Sequence, residues 1–180
     1  KKKKNKAAAE ALLKSEKDRR EHQVVVESIL DNLAPFCRQL KAPAMMQLQS
    51  TASMWHLGTE IEGVLKNDDT SSPELAVALH PTPAVGGTPA DEALQLIRKL
   101  EPVDRGFYAG AVGWTDRQGD GEWYLSLRCG EVCDNQIRLF AGAGIVADSD
   151  PVAEAAETSA KFVALLSALG IDEQGNPLSK

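Results

Sequence analysis

GAGIVADSDPVAEAAETSAK (residues 142–161) is the stretch on which the reading of this chain turns. It predicts a glycine-broken strand that ends near Val146 and a helix that follows at once. Ser149 or Asp150 can cap that helix, Pro151 can start it and Gly170 can stop it. Glu154, Glu157 and Lys161, spaced by three and four residues, put their charges on one side of the helix. Glu157 four residues before Lys161 is the favourable order for a solvated ion pair, and an exposed stripe is the plain reading. The rest of the helix favours another. FVALLSALG (162–170) carries no charge, and its apolar residues go all the way round, as on a helix buried on most sides. Charges held in a largely buried place need partners. Lys161 can serve one glutamate, and a hard divalent cation such as Mg2+ can serve the pair.

Upstream, helices interleave with strand candidates. Residues from about Ala7 to Phe36 read as one long helix, with Val25, Ile29 and Leu33 on its buried face. Glu21 continues that apolar line. Strand-forming pieces lie around Gln47–Gln49 and Trp55–Leu57, and a turn-rich connection holds a short helix with Ser72 as cap and Pro73 at its first position. Thr88-Pro89-Ala90-Asp91 opens another helix with a capping-box pattern. Three strand candidates come next: GFYAGAVGWTD and EWYLSLRCGEV around the hairpin loop RQGDG, then NQIRLFAGAGIV. The pattern is α+β with mainly antiparallel strands.

The composition narrows the function classes. A formal charge of −6 on 180 residues argues against a nucleic-acid binder, and no apolar run is long enough to span a membrane. The length allows one sizeable core. The start, KKKKNK (1–6), lacks the apolar region of a signal peptide and reads as a lysine-rich solvated tail or an appended remnant. Cys37, Cys129 and Cys133 make no CxxC pair, as expected of reduced thiols in a cytoplasmic protein. His22, His56 and His80 are scattered without zinc-ligand spacing, so His56 and His80 read as satisfied structural histidines.

Seven motifs occur in order: SEKDRREHQ (15–23), MWHLGTEIEG (54–63), LHPTPAVGGTP (79–89), EPVDRGFYAGAVGW (101–114), GEWYLSLRCG (121–130), RLFAGAGIV (138–146) and AEAAETSAK (153–161). Together they resemble the C-terminal half of the chorismate-utilising enzymes, most closely the isochorismate synthases, over about Ala7 to Gly170. EHQVVVESILDNLAPFC departs from the DLxRND signature that follows the EH pair in the amine-transferring members. Salicylate synthases are the nearer competitor, and a non-catalytic chorismate-binding fragment is the reading from another class.

The resemblance implies a fold of two sheets packed between helices, with residues 7–180 forming the C-terminal half of a chorismate-binding domain. It implies that Glu157 and Glu21 are direct Mg2+ ligands and that Glu154 reaches the ion less directly, through water. Lys161 then neutralises the acidic cluster. The ion would hold the ring carboxylate of chorismate, Arg128 the enolpyruvyl carboxylate with help from the Gly142 N–H, while His56 lies beside the ring and Ala84 in a loop lining the pocket. The family's base, a lysine, and its acid, a glutamate, belong to the N-terminal half, so no catalytic residue is expected here. That half, or a second chain supplying it, is the expected partner beside chorismate. Without it, the resemblance implies exposed sheet edges and apolar faces.

Overall fold

The computed structural model describes residues 9–43, 45–50 and 55–178; the lysine-rich start, the first residues of the predicted helix and Met54 lie outside them. The elements alternate as α1 (Glu16–Leu33), β1 (Cys37–Lys41), β2 (Gln47–Ser50), β3 (Trp55–Gly58), β4 (Glu62–Leu65), α2 (Ser72–Leu79), α3 (Pro83–Gly86), α4 (Ala90–Leu100), β5 (Ala111–Thr115), β6 (Gly121–Leu125), β7 (Cys129–Cys133), β8 (Gln136–Phe140) and α5 (Pro151–Ala168). The α+β expectation holds. The strands pair two by two, β1 with β4, β2 with β3, β5 with β6 and β7 with β8.

Two units divide the chain. The first runs to Pro102 and takes in Gly113–Trp123; the second is Val103–Val112 with the residues from Tyr124 onward. In the first, the predicted single helix is interrupted at Ser15, after a helical segment at 9–14. The Ser15 hydroxyl accepts from the Asp18 N–H at 3.3 Å and starts α1 afresh, with Glu16 and Asp18 in a first turn that favours negative charge. A serine inside a helical pattern is a cap waiting for a break, and here it is used. Helix α1 packs on α2, α3, β1 and β3, with Val25, Ile29 and Leu33 half-buried.

Two other predicted caps shift. Ser71, not Ser72, takes the N-cap position of α2, and Pro89 that of α4; neither makes a side-chain capping bond. The predicted EWYLSLRCGEV strand breaks into β6 and β7 at Ser126–Arg128, and the NQIRLFAGAGIV strand stops at Phe140. Arg128 (φ 48°) and Asp134 (φ 53°) take left-handed conformations, which L-residues adopt at a cost and which turn the chain. One loop chemistry is used twice. In DRQGD (116–120) and DEQGN (172–176) the first aspartate accepts from the main-chain N–H groups two and four residues on, at 2.8–3.1 Å.

The sizeable core is absent among the described residues. Among the described residues Ala9 and Ala109 are the buried apolar side chains, while Phe107 (89% exposed), Val77 (77%) and Val152 (78%) stand in solvent. Apolar sequence patterns report which faces need cover, not whether this length of chain supplies it.

Helix α1 has no basic residue in its last turn. Lys66, just past β4, supplies the cation from a distance: its Nζ donates to the Pro35 carbonyl at 2.8 Å and the Ala34 carbonyl at 3.2 Å. A cation at a helix C-terminus is worth about 0.3–1 kcal/mol. Lys66→Met is therefore expected to lower stability by about that amount in chemical unfolding; an unmoved midpoint would mean that the lysine rests there without effect.

Candidate functional site

The second unit brings two of the predicted residues, Glu157 and Gly142, to the ammonium group of a third, Lys161. Asp150 caps α5 by accepting from the Ala153 N–H at 2.8 Å, and Pro151 stands in the first turn, as the sequence predicts. Glu154, Glu157 and Lys161 then follow on successive turns. Lys161 Nζ lies 2.7 Å from Glu157 Oε1 and donates to the Gly142 carbonyl at 2.8 Å. The lysine side chain is 18% exposed and that of Glu157 46%. Glu154 is buried at 6%.

The expectation of a helix buried on most sides is overturned. One stripe is covered, Glu154, Thr158, Lys161, Phe162, Leu165 and Leu166, and the remainder of α5 is exposed. The stripe is an i, i+4, i+7 pattern, so Glu154 and Lys161 ride on the covered face with the large apolar residues, while Glu157 is exposed.

Gly142 lies just past β8, in an irregular segment instead of the predicted strand. Tyr108, which the sequence reading did not single out, reaches it. The Tyr108 ring stacks on Phe140 with centroids 5.4 Å apart and planes at 15°, and the Arg105 guanidinium lies 5.5 Å from the tyrosine centroid. A Cβ on residue 142 would come 2.6 Å from the Tyr108 hydroxyl, so a larger residue fits only if that hydroxyl moves. The available signal was weak: Tyr108 is one aromatic in the EPVDRGFYAGAVGW motif, beside a Phe107 that points to solvent. Arg128, half-buried, sits in the left-handed turn between β6 and β7 and not on a strand. Residues held in such conformations collect at functional sites.

The other candidates belong to the first unit. Glu21 on α1 has Lys17 Nζ at 3.6 Å, and its neighbour His22 shares a 2.8 Å hydrogen bond between Nε2 and Thr59 Oγ1. His56 lies on β3 opposite Gln49. Ala84 is exposed and sits in the short helix α3, not in a loop. His80 departs from the satisfied-histidine expectation: its Nδ1, like Thr82 Oγ1, is buried with no hydrogen-bond partner among the described residues. A depression of about 390 Å³ on the β1–β4 ribbon, lined by Gln39, Lys41, Glu62, Gly63 and Val64, contains none of the predicted site residues. No group of three or more His, Cys, Asp or Glu among the described residues forms a metal-holding cluster. Helix α5 offers a pair. Among the described residues no helix is long and apolar enough to cross a membrane.

An α+β fold, a glutamate-bearing helix tied to a glycine segment by lysine, and the ordered motifs agree with one family. The chain belongs to the chorismate-binding enzyme family, whose model it matches over residues 1–170. It is 51% identical over 164 residues to the isochorismate synthase DhbC of Bacillus subtilis, covering 91% of this chain and 41% of that protein. The crystal structure of DhbC from Bacillus anthracis matches with a TM-score of 0.92 at 54% identity, over 94% of this chain and 45% of that one. The structure of MenF, the menaquinone-specific isochorismate synthase from Escherichia coli, matches with a TM-score of 0.82 at 34% identity, over 94% and 39%. The fold is thus that of the chorismate-binding enzymes, and the chain spans less than half the length of these relatives.

Gly142 does not occupy the left-handed region, so the Tyr108 hydroxyl is what bars a larger residue; the ring carbon behind it is 3.8 Å from the Cβ position. Gly142→Ala should cost about 1–3 kcal/mol, and adding Tyr108→Phe should restore most of it. A double mutant no more stable than Gly142→Ala would show that the contact is not the obstacle. Burial lowers the pKa of His22 below its ordinary 6.5. The unfolded chain then binds the extra proton, so this contribution is complete above pH 6.5 and is lost as pH falls from there through the lowered folded value. His22→Gln should flatten that part of the stability–pH curve, and an unchanged slope would assign it to other groups.

Proposed function

We propose that this chain is the metal- and carboxylate-binding portion of an Mg2+-dependent isochorismate synthase, which converts chorismate to isochorismate. The observation that carries the reading is the Glu157–Lys161–Gly142 junction, in a chain 51% identical to an isochorismate synthase. The donor set suits the ion: Glu154 and Glu157 offer hard oxygens three residues apart, and Mg2+ is commonly held by one or two carboxylates, waters and substrate oxygens. Glu157 and Glu21 would be direct ligands and Glu154 a ligand through water. Bound there, the ion would supply charge to receive the ring carboxylate of chorismate.

The chain's own residues do the remaining binding. Lys161 offsets the glutamate charge while holding the Gly142 carbonyl. Arg128 presents a planar fork to the enolpyruvyl carboxylate, and the Gly142 N–H donates to the same group. His56 stands beside the ring, and Ala84 lines the pocket. Adding water at one ring carbon while a hydroxyl leaves two carbons away requires a base and an acid. We assign both to the part of the family fold outside this chain, whose packing would cover the exposed apolar faces. Three free cysteines suit a cytoplasmic setting.

The test is turnover by the complete enzyme with Mg2+, for wild type and Glu157→Gln. Wild type should accumulate isochorismate; salicylate and pyruvate would instead indicate a salicylate synthase. Glu157→Gln should weaken Mg2+-dependent activity by more than the ~10–100-fold that changes behind a ligand cost. Unchanged Mg2+ dependence would remove Glu157 from the ligand set.

A further inference from the structure

Helix α1 is clasped by one short stretch of chain. Thr59 Oγ1, just past β3, shares a 2.8 Å hydrogen bond with His22 Nε2, thirty-seven residues earlier. Further along the same stretch, Lys66 Nζ donates to the Pro35 and Ala34 carbonyls at the far end of the helix, and the Lys66 N–H donates to the Phe36 carbonyl at 2.8 Å. The ties at His22 and Ala34 grip the helix about 18 Å apart. Close packing is what ordinarily fixes a helix in rotation, but α1 has no fully buried residue, so these polar ties share that task. The strand that carries Thr59 is itself held. β3 pairs with β2 in the register Gln49↔His56, and the Gln49 side chain lies against Gly58, where a Cβ would be 2.5 Å from it.

We propose that His22 and Thr59 are positioning residues, whose hydrogen bond sets the rotation of α1 against β3 and with it the place where the Glu21 carboxylate meets a divalent cation. The inference rests on the reading above that Glu21 is an Mg2+ ligand. His22 acts through the helix and not on the ion. Glu21 is its neighbour in sequence, about 100° round the helix. The Glu21 Oε1 atom is buried, with Lys17 Nζ at 3.6 Å. Side-chain heads sit about 5–6 Å from a helix axis, so a rotation of about 10° carries a head by about 1 Å. A binding constellation tolerates about half of that. The bond to Thr59 therefore has leverage on the carboxylate one residue away, whereas Lys66, at the other end of α1, has little.

The experiment is calorimetric titration of the complete enzyme with Mg2+ alone, comparing wild type with Thr59→Val, Thr59→Ser, His22→Leu, Lys66→Met and Glu21→Gln. Thr59→Val and His22→Leu should each weaken Mg2+ binding about 10-fold, the lower end of what partners behind a ligand cost. The two combined should be no worse than either alone, because both remove the same bond. Thr59→Ser keeps the hydroxyl and should bind as wild type does. Lys66→Met frees the far end of the helix and should lose stability while keeping its Mg2+ affinity. Wild-type affinity in both Thr59→Val and His22→Leu, beside a weakened Glu21→Gln, would overturn the proposal and leave Glu21 a ligand. An equal loss in Lys66→Met would overturn it as well, since affinity would then follow stability alone. Wild-type affinity in Glu21→Gln would overturn the ligand reading and the proposal built on it.

Discussion

A single ammonium group ties the chemistry of the second unit together. Lys161 bonds to a carboxylate one turn back on its own helix and to a main-chain carbonyl nineteen residues earlier. The first bond alone would be an ordinary helix pair worth a few tenths of a kcal/mol. The second turns it into a joint between α5 and the segment that leaves β8. Because the lysine is mostly covered, water screens these bonds less than it would on the surface. Gly142 and Glu157, and with them the placement of α5 beside the end of β8, are tied to where this head group sits.

That joint exists in a unit whose described residues form almost no apolar core. Order comes from local devices instead: the Asp150 cap, the β7–β8 ribbon, the aspartate loop at 172–176, the Tyr108–Phe140 stack. Such devices hold elements in shape one at a time. They do not cover Phe107, Val132 or Ile145, each more than two-thirds exposed. A length of chain under half that of its relatives has the family's local geometry and part of the surface that geometry is meant to bury.

Much of this was legible in the residues. The start and stop of α5 followed from Asp150, Pro151 and Gly170, because capping and proline chemistry act within a turn. Lys161 pairing with Glu157 followed from spacing. The errors also have local causes. Ser15 is not legible as a cap because a serine inside a helical pattern caps only if the chain breaks there. The strand through Ser126–Arg128 divided because Arg128 takes a left-handed conformation that composition does not announce. The burial of α5 is not legible because an apolar surface shows a demand for cover without naming its source.

The sequence by itself determined the element types, the ordered motifs and the family they identify, and the common side shared by Glu154, Glu157 and Lys161. These depend on periodicity, caps and turn residues, which are properties of neighbours in the chain. Only the tertiary structure decided that Lys161 would close on the Gly142 carbonyl, that Tyr108 would stand against Gly142 and that Arg105 would lie over its ring. Those contacts join residues nineteen to thirty-four positions apart or, for Arg105, depend on how a short segment turns. No local preference encodes them, because they arise when packing brings separate segments within hydrogen-bond and van der Waals reach.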